Sequence, residues 1–285
     1  SSLDFSIDNT TEEKIRMESA FTSYHTPDQE LDAYYTGKIG KLGIDFNGTY
    51  FHSKQTQTQD KEENSNMSGL QLIDIDNVTR NQMLAGKIIF TYPILKGKLN
   101  FGSEYTDVQS VGSNINAQQI FDNTETKIKE RNLAGFAEYA IPFGNFRARA
   151  GLRYEHVVSD YYSKGEWQDE PSRRYSDWFP SLSLAWSKGK WQAQLGYNAK
   201  TARPSYRNLS SWMQYDNRYE YQGGNPLLRP SQIHSLELTA TRSWLTFTAG
   251  YKNTKNLVAY VMKPYDGNIF IKTYANINRI QNLYA

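Results

Sequence analysis

Apolar and polar residues alternate along most of this sequence, in segments of about nine to twelve residues. In 31–39, for example, Leu31, Tyr35 and Ile39 fall on one face of an extended chain, whereas Asp32 and Lys38 fall on the other. Successive side chains of a β-strand point to opposite faces of the sheet, and this period of two separates strands from helices. The pattern therefore predicts strands with one apolar and one polar face.

About eleven such strands are expected, and two kinds of connection alternate between them. Short connections with turn-forming residues lie at 39–41, 95–98, 142–145, 187–190 and around 243–244. Long polar connections are expected near 54–80, 110–126, 163–176 and 203–232, with a shorter one at 263–268. Short turns at one end of the strands and long loops at the other are typical of barrels that cross an outer membrane.

The composition is compatible with such a barrel and excludes several other classes of protein. No run of about 18 apolar residues is present, which excludes a helical membrane span. The absence of cysteine rules out disulfides and thiolate metal sites. A formal net charge of +2, with basic residues spread along the chain, disfavours nucleic-acid binding. The first residues have no signal-peptide features, so any secretory signal is expected upstream or already removed.

Aromatic residues next to the short turns indicate a membrane interface. Tyr92, Trp186, Trp191 and Trp244 would lie close to one level, as in the aromatic girdle of a barrel. The alternative is that they pack the core of a soluble protein, but four separate hairpins contribute, which favours the girdle. We therefore expect an all-β fold, an antiparallel transmembrane β-barrel in the outer membrane of a Gram-negative bacterium, with residues 1–285 forming part of a single barrel domain.

Three motifs follow one another between residues 175 and 240. They are Phe179-Pro180-Ser-Leu-Ser-Leu184, then Arg203-Pro204-Ser-Tyr-Arg-Asn-Leu209, then Gly224-Asn225-Pro226-Leu-Leu-Arg-Pro230. In this order and with these gaps they resemble the second half of the barrel of TonB-dependent outer-membrane receptors. One position departs from that family, because Ser231 stands where the family usually has glutamate.

The resemblance implies a larger protein than this chain. The family carries an amino-terminal plug domain and a barrel of about 22 strands, so the plug and both ends of the barrel are expected outside residues 1–285. The implied surroundings are the lipid bilayer and lipopolysaccharide. The implied partners are the TonB system, acting through the plug, and a small-molecule or oligomeric nutrient, with a surface lipoprotein as a further candidate. No cofactor is expected.

The motif residues have a structural interpretation beside the functional one. Glycine and asparagine tolerate positive φ and proline fixes the backbone, so Gly224, Asn225 and Pro226 are expected to reverse the chain before a strand begins near Gln232. Contact with a ligand or partner is the alternative, by analogy with the family alone. The other motif residues interpreted as structural are Phe179, Pro180, Arg203, Pro204 and Pro230.

Three arginines form the first candidate binding site. Arg147, Arg149 and Arg153 share the polar face of one predicted strand. They could form a basic row in the lumen that attracts anionic substrates or holds a plug through its carboxylates. The alternative is that they are lumen charges in contact with water and have no specific partner.

Aromatic residues of the connection 208–222 form the second candidate site. Trp212, Tyr215, Tyr219 and Tyr221 could stack on a sugar or hold a peptide or chelate from an extracellular position. The same side chains could equally lock loops onto one another. The four histidines are scattered without metal-ligand spacing, and no hydrolase, phosphate-loop or dinucleotide motif is present, so neither a metal site nor an enzyme is expected.

Functions from different classes remain open at this point. The resemblance implies active uptake of a nutrient of undetermined class, siderophore, glycan or peptide. A barrel that serves as a surface interaction or assembly component without transport is the alternative, since long polar loops suit it as well. A hydrolase within a barrel would need a catalytic cluster on its loops, which the sequence does not single out.

Overall fold

The computed structural model describes the backbone of residues 2–7 and 11–285, with side chains described from Glu13 onward. These residues form one sheet of 14 strands. The strands are β1 (Ser2–Ile7), β2 (Thr11–Ile39), β3 (Leu42–Ser65), β4 (Gly69–Ile94), β5 (Gly97–Asn116), β6 (Thr124–Phe143), β7 (Phe146–Ser163), β8 (Glu166–Lys188), β9 (Trp191–Ala202), β10 (Met213–Asn217), β11 (Glu220–Gly223), β12 (Ser231–Arg242), β13 (Leu245–Asp266) and β14 (Ile269–Tyr284), with a short helix α1 (Tyr206–Leu209).

Eleven of the strands are long and confirm the predicted number. They run from β2 to β9 and from β12 to β14, each is at least 12 residues long, and each is antiparallel to its neighbour. The three short strands are β1, β10 and β11, and β11 pairs with β14 in parallel. Within the described residues no pairing joins β2 to β14, so the sheet stays open. No described helix is long and apolar enough to cross a membrane.

The two faces of the sheet separate as the alternation predicted. Residues opposite each other on neighbouring strands share a face, and Leu184, Leu195 and Leu238 form one such row across β8, β9 and β12. All three are exposed, as are the leucines of many other strands on this apolar face. We call it the outer face, since exposed leucines suit contact with hydrocarbon. The polar face, which carries Asp45 and Glu104, is called the lumen face.

The short turns lie at one end of the sheet, as expected. Gly40, Gly144 and Gly189 occupy three of them with positive φ, which glycine adopts without steric cost. The four residues of the predicted girdle are adjacent to this end, with Trp191 directly after one turn and Trp244 within another. Trp244 is almost fully exposed, as expected for a side chain at a membrane interface.

Except for 203–232, the long connections that the sequence predicted consist mostly of strand, which corrects the prediction. The stretch 54–80 is a continuation of β3 and β4 around a turn at 66–68, and in 163–176 only residues 164–165 form the turn. Beyond the bilayer both faces of a hairpin can contact water, so polar residues on both faces are compatible with an unbroken ladder of backbone hydrogen bonds. The sequence therefore loses its alternation where the strands continue.

Candidate functional site

The connection between β9 and β12 leaves the sheet and folds over its lumen face. This segment, residues 203–230, contains α1, β10 and β11. Ser205 caps α1 by accepting a hydrogen bond from the backbone N–H of Asn208. At its far end the segment pairs β11 with Phe270, Ile271 and Lys272 of β14. We call residues 203–230 the inner segment. It extends from the end of β9 to the ends of several other strands that lie away from the short turns.

Residues of the second and third motifs meet around the base of the inner segment, and those of the first motif pair with the neighbouring strand β7. Pro204, Pro226 and Pro230 line one small cavity together with Tyr175 and Leu228. Arg203 donates to Glu155 of β7 at 2.6 Å. In β8, Phe179 pairs with Arg153 on the lumen face and Pro180 pairs with Leu152 on the outer face. The structure thus brings together residues that lie up to about fifty positions apart in the sequence.

The third motif folds differently from the positive-φ turn that its sequence predicted. Neither Gly224 nor Asn225 has a positive φ. Instead, a Cβ at Gly224 would lie 2.0 Å from the carbonyl oxygen of Ser210, so glycine is required for close approach of two backbone stretches. The Asn225 side chain donates to the carbonyl of Tyr274 at 2.8 Å and accepts from the backbone N–H of Leu227 at 2.9 Å. The motif therefore anchors the inner segment to β14.

Ser231, the departure from the family motif, has a role of its own here. Its hydroxyl is buried, donates to the carbonyl of Asn256 at 2.9 Å and accepts from the backbone N–H of Val258. Asn256 has a φ of 52°, a conformation that interrupts the regular ladder in β13. The serine therefore supports the irregular backbone of its neighbouring strand.

We expect Gly224→Ala to weaken the docking of the inner segment by roughly 1–3 kcal/mol, because the added methyl group has no room among backbone carbonyls. Gly86→Ala is the matched control, since a Cβ at Gly86 meets nothing within 4 Å. Hydrogen exchange of residues 206–223 would report the change. Equal exchange in the two variants would contradict the close-approach explanation.

The predicted basic row is largely ion-paired. Arg153 lies 3.3 Å from Glu104 and 2.6 Å from Glu155, and Arg149 lies 3.5 Å from Glu138. Arg147 lines the lumen near the short turns. The glutamates come from β5, β6 and β7, so they lower the net positive charge that the row presents. Attraction of anions or of a plug by these arginines stays a prediction.

The four aromatic residues of the second candidate site pack against the molecule itself. Tyr215 and Tyr221 are buried in a cluster with Ile73, Ile75 and Ile271. The Arg207 guanidinium lies 4.3 Å from the Trp212 ring centre, and the Tyr219 hydroxyl donates to Glu13. Tyr215, Tyr219 and Tyr221 thereby hold the inner segment against the sheet, whereas Trp212 contacts Arg207 within the segment itself. Contact with a ligand stays a prediction.

One arginine fastens the tip of the inner segment to two buried carboxylates. The Nε of Arg218 donates to Glu63 at 2.6 Å, and its Nη1 donates to Glu13 at 3.1 Å. The Tyr215 hydroxyl and the backbone N–H of Arg218 donate to the second oxygen of Glu63, at 2.9 and 3.2 Å. Glu13 and Glu63 are almost completely buried. We call Glu13, Glu63 and Arg218 the Arg218 cluster.

The surroundings of Glu13 keep its carboxyl group ionised. Burial by itself would raise the pKa, but hydrogen bonds from Ser65 and Tyr219 and the charge of Arg218 outweigh it and lower the pKa below 4.5. Burial and the neighbouring Glu63 carboxylate raise the pKa of the Tyr215 phenol, so it stays a hydrogen-bond donor at every physiological pH. At neutral pH Glu13 is therefore a charged partner of Arg218, and Tyr215 is a neutral donor.

The docking of the inner segment is expected to weaken in acid. A carboxyl group with a lowered pKa stabilises the docked state above its ordinary pKa near 4.5, and this contribution is lost as the pH falls through the lowered value. Distances between spin labels on cysteines placed in β10 and at Met67 should lengthen only below about pH 4.5. Glu13→Gln should remove that pH step, and an unchanged step in this variant would contradict the assignment.

The Arg218 cluster was not predicted from the sequence. Its members lie up to 205 positions apart, and local patterns cannot reveal such a pairing. One signal was present, since Gln59, Lys61 and Glu63 continue the odd-numbered lumen face of β3 beyond the apolar alternation.

Comparisons with known proteins agree with this architecture. Residues 36–285 match the model of the outer membrane protein beta-barrel family. No curated protein matches the sequence. Among solved structures, the chain is similar to the hemophore receptor HasR of Serratia marcescens, a double mutant in complex with its hemophore HasA and heme (TM-score 0.53, 11% identity, 95% of this chain and 51% of that one). It is also similar to the copper transporter OprC (TM-score 0.53, 12% identity, 99% and 48%) and to a mutant of the ferric enterobactin receptor PfeA of Pseudomonas aeruginosa (TM-score 0.50, 14% identity, 99% and 50%).

The chain spans about half the length of these solved structures. At such low identity the likeness shows the fold alone. Together with the family match, it confirms the outer-membrane β-barrel fold that the resemblance implied.

Proposed function

The chain belongs to the outer membrane protein beta-barrel family, and we propose that it forms part of a receptor barrel that takes up a nutrient actively with energy from the TonB system. The protein is located in the outer membrane. The TonB dependence is supported by the motifs around Phe179, Arg203 and Gly224, which resemble those of TonB-dependent receptors.

The observation that carries this proposal is the arrangement of the lumen face. At the short-turn end it borders a cavity of about 600 Å³ with polar lining residues such as Gln192, Glu237 and Thr239. At the other end the inner segment lies across it, held by the Arg218 cluster. A polar lumen face beneath a folded-in segment suits the gated entry of a polar ligand.

Similar proteins support a transporter rather than an enzyme. HasR and PfeA are described as receptors and OprC as a transporter. Whether the nutrient is a chelate, a sugar or a peptide does not follow from a fold shared at this level of identity.

A surface interaction without transport is favoured by a different observation. The tip of the β3–β4 hairpin exposes Met67, Leu70 and Leu72, each by more than half of its surface. These residues lie about 25 positions from the short turns, which places them well beyond a bilayer that about ten residues of strand can cross. Apolar side chains in this position suit contact with another protein.

Deleting the complete gene and measuring nutrient accumulation separates the two functions. Active uptake predicts that the deletion strain loses accumulation of one nutrient class and that an uncoupler abolishes it in the parent strain. An unchanged uptake profile, combined with loss of a surface complex, would overturn the transport proposal in favour of the interaction role.

A further inference from the structure

A pocket lies between the inner segment and the lumen face of four adjacent strands. Its floor consists of two rows of paired residues across β3, β4, β5 and β6, one of them Gln57, Asn77, Asn114 and Thr124. Its roof is formed by α1 and the residues after it, including Trp212. We call it the amide pocket, after the four side-chain amides of its floor, those of Gln55, Gln57, Asn77 and Asn114.

Two buried polar atoms of the amide pocket's walls have no hydrogen-bond partner among the described residues. They are the Oδ1 of Asn114 and the Nε1 of Trp212. Asn114 is 1% exposed, and its Nδ2 donates to Asn77 and to the carbonyl of Met213, so its orientation is fixed. Buried polar atoms normally have partners. At each of these atoms a ligand hydroxyl group, which can both donate and accept, would supply the missing partner.

The charge of the pocket selects a ligand class. Arg207 is the single charged side chain among the lining residues, and its guanidinium lies against the Trp212 ring. An anionic chelate would be matched by several cations, and a cationic peptide would be matched by carboxylates. Amides, hydroxyls and an aromatic ring instead match the hydroxyl groups and the apolar ring face of a sugar.

The size of the pocket limits how much of a ligand enters it. Its volume is about 60 Å³, several times the roughly 10–15 Å³ that one water molecule needs. That space admits the edge of one sugar ring rather than a whole oligomer. The remainder of a longer ligand would extend into the neighbouring cavity of about 390 Å³ beside Pro204 and Tyr206.

We propose that the amide pocket binds the terminal unit of a neutral, hydroxyl-rich ligand, an oligosaccharide, beneath the docked inner segment. The inference rests on the proposed uptake function and names its ligand class. It assigns the hydrogen bonds to Asn114 and its row, and the ring contact to Trp212.

Gly112 offers a direct test, because it lies on the floor of the pocket. A Cβ at this position meets nothing within 4 Å, so the backbone leaves room for a side chain, and Gly112→Val reduces the space in the pocket. Gly196→Val is the matched control, since Gly196 is also a lumen-face glycine with open space around its Cβ and lies outside the amide pocket. Gly112→Ala is the milder variant if valine impairs folding.

The complete protein, purified in detergent, would be titrated with fluorescent neutral oligosaccharides of glucose, mannose and galactose. A ferric chelate and a short peptide would serve as competitors. We expect at least one oligosaccharide to bind. Its affinity should fall about tenfold or more in Gly112→Val, where a tenfold change corresponds to about 1.4 kcal/mol. Its affinity should be unchanged in Gly196→Val. Absence of oligosaccharide binding, equal affinity in Gly112→Val, or displacement by the chelate or peptide would overturn the proposal.

Energised cells separate this inference from the proposed function. If a chelate or peptide accumulates and no oligosaccharide binds, uptake stands and the ligand class is wrong. If an oligosaccharide binds with the expected dependence on Gly112 but never accumulates, the pocket stands and the uptake function is wrong.

Discussion

Arg218→Ala is expected to release the tip of the inner segment from the sheet. Removing one partner of a buried ion pair costs about 3–5 kcal/mol, because it leaves an uncompensated charge, and here Glu13 and Glu63 would both lose their guanidinium. Every 1.4 kcal/mol is about a factor of ten, so the undocked population should rise roughly a hundred- to several-thousand-fold. Chymotrypsin measures this directly, since Tyr215 and Tyr221 are buried while the segment is docked.

Arg16→Ala is the matched control for that experiment. Arg16 forms an ion pair of 2.9 Å with Glu18, but both side chains are mostly exposed, and such surface pairs contribute at most about 1 kcal/mol. The triple variant with Arg218→Met, Glu13→Gln and Glu63→Gln should recover much of the protection because it removes all three charges of the Arg218 cluster. Similar cleavage of the Arg218 and Arg16 variants would show that the cluster does not hold the segment.

Leu195→Arg is expected to impair assembly of the barrel severely. Leu195 lies on the outer face between Leu184 and Leu238, about five residues from the short turn and therefore near the middle of the bilayer. An arginine facing lipid at that depth costs about 2–4 kcal/mol. Folding of the complete protein into vesicles, followed by denaturant titration, would measure the loss.

The neighbouring residue supplies the control for Leu195. Gln194 lies one position earlier in β9 and lines the lumen cavity, so Gln194→Arg exchanges one water-facing polar group for another. We expect a change within about 0.5 kcal/mol, as for a typical surface substitution. Equal destabilisation by the two substitutions would mean that the faces of β9 are assigned wrongly.

Much of the fold could be predicted because alternation is a local property. Leu31, Tyr35 and Ile39 already indicate which face of β2 is apolar. The pairing of β2 with β3 agrees, because it places apolar residues of β3 opposite them. The polar stretches of β3 and β4 beyond the membrane were misjudged as loops, because a strand with water on both faces has no alternation to detect. Their hydrogen-bonded pairing, from Lys54 with Arg80 to Ser65 with Gly69, depends on the partner strand.

The candidate site was predicted in its components but not in its arrangement. The sequence identified Arg203, Gly224 and the aromatic residues of the inner segment, yet not the surfaces on which they dock. Position 224 illustrates the reason. Glycine is required there because the carbonyl oxygen of Ser210 lies too close for a Cβ, and not because of the backbone angles of Gly224. Contacts of this kind, like those of Arg218 with Glu13, exist only after distant strands have come together.

A cysteine scan of β9 tests the central claim most directly, since residues 1–285 contain no cysteine. Single cysteines would replace residues of Trp191–Ala202 in the complete protein within outer membranes, and each would be tested with a water-soluble maleimide. We predict reaction at the lumen-face positions, such as Gln192 and Gln194, and protection at Ala193 and Leu195 on the outer face. Reactivity without this period of two, or protection of both faces as in a soluble core, would contradict a sheet that separates lipid from water.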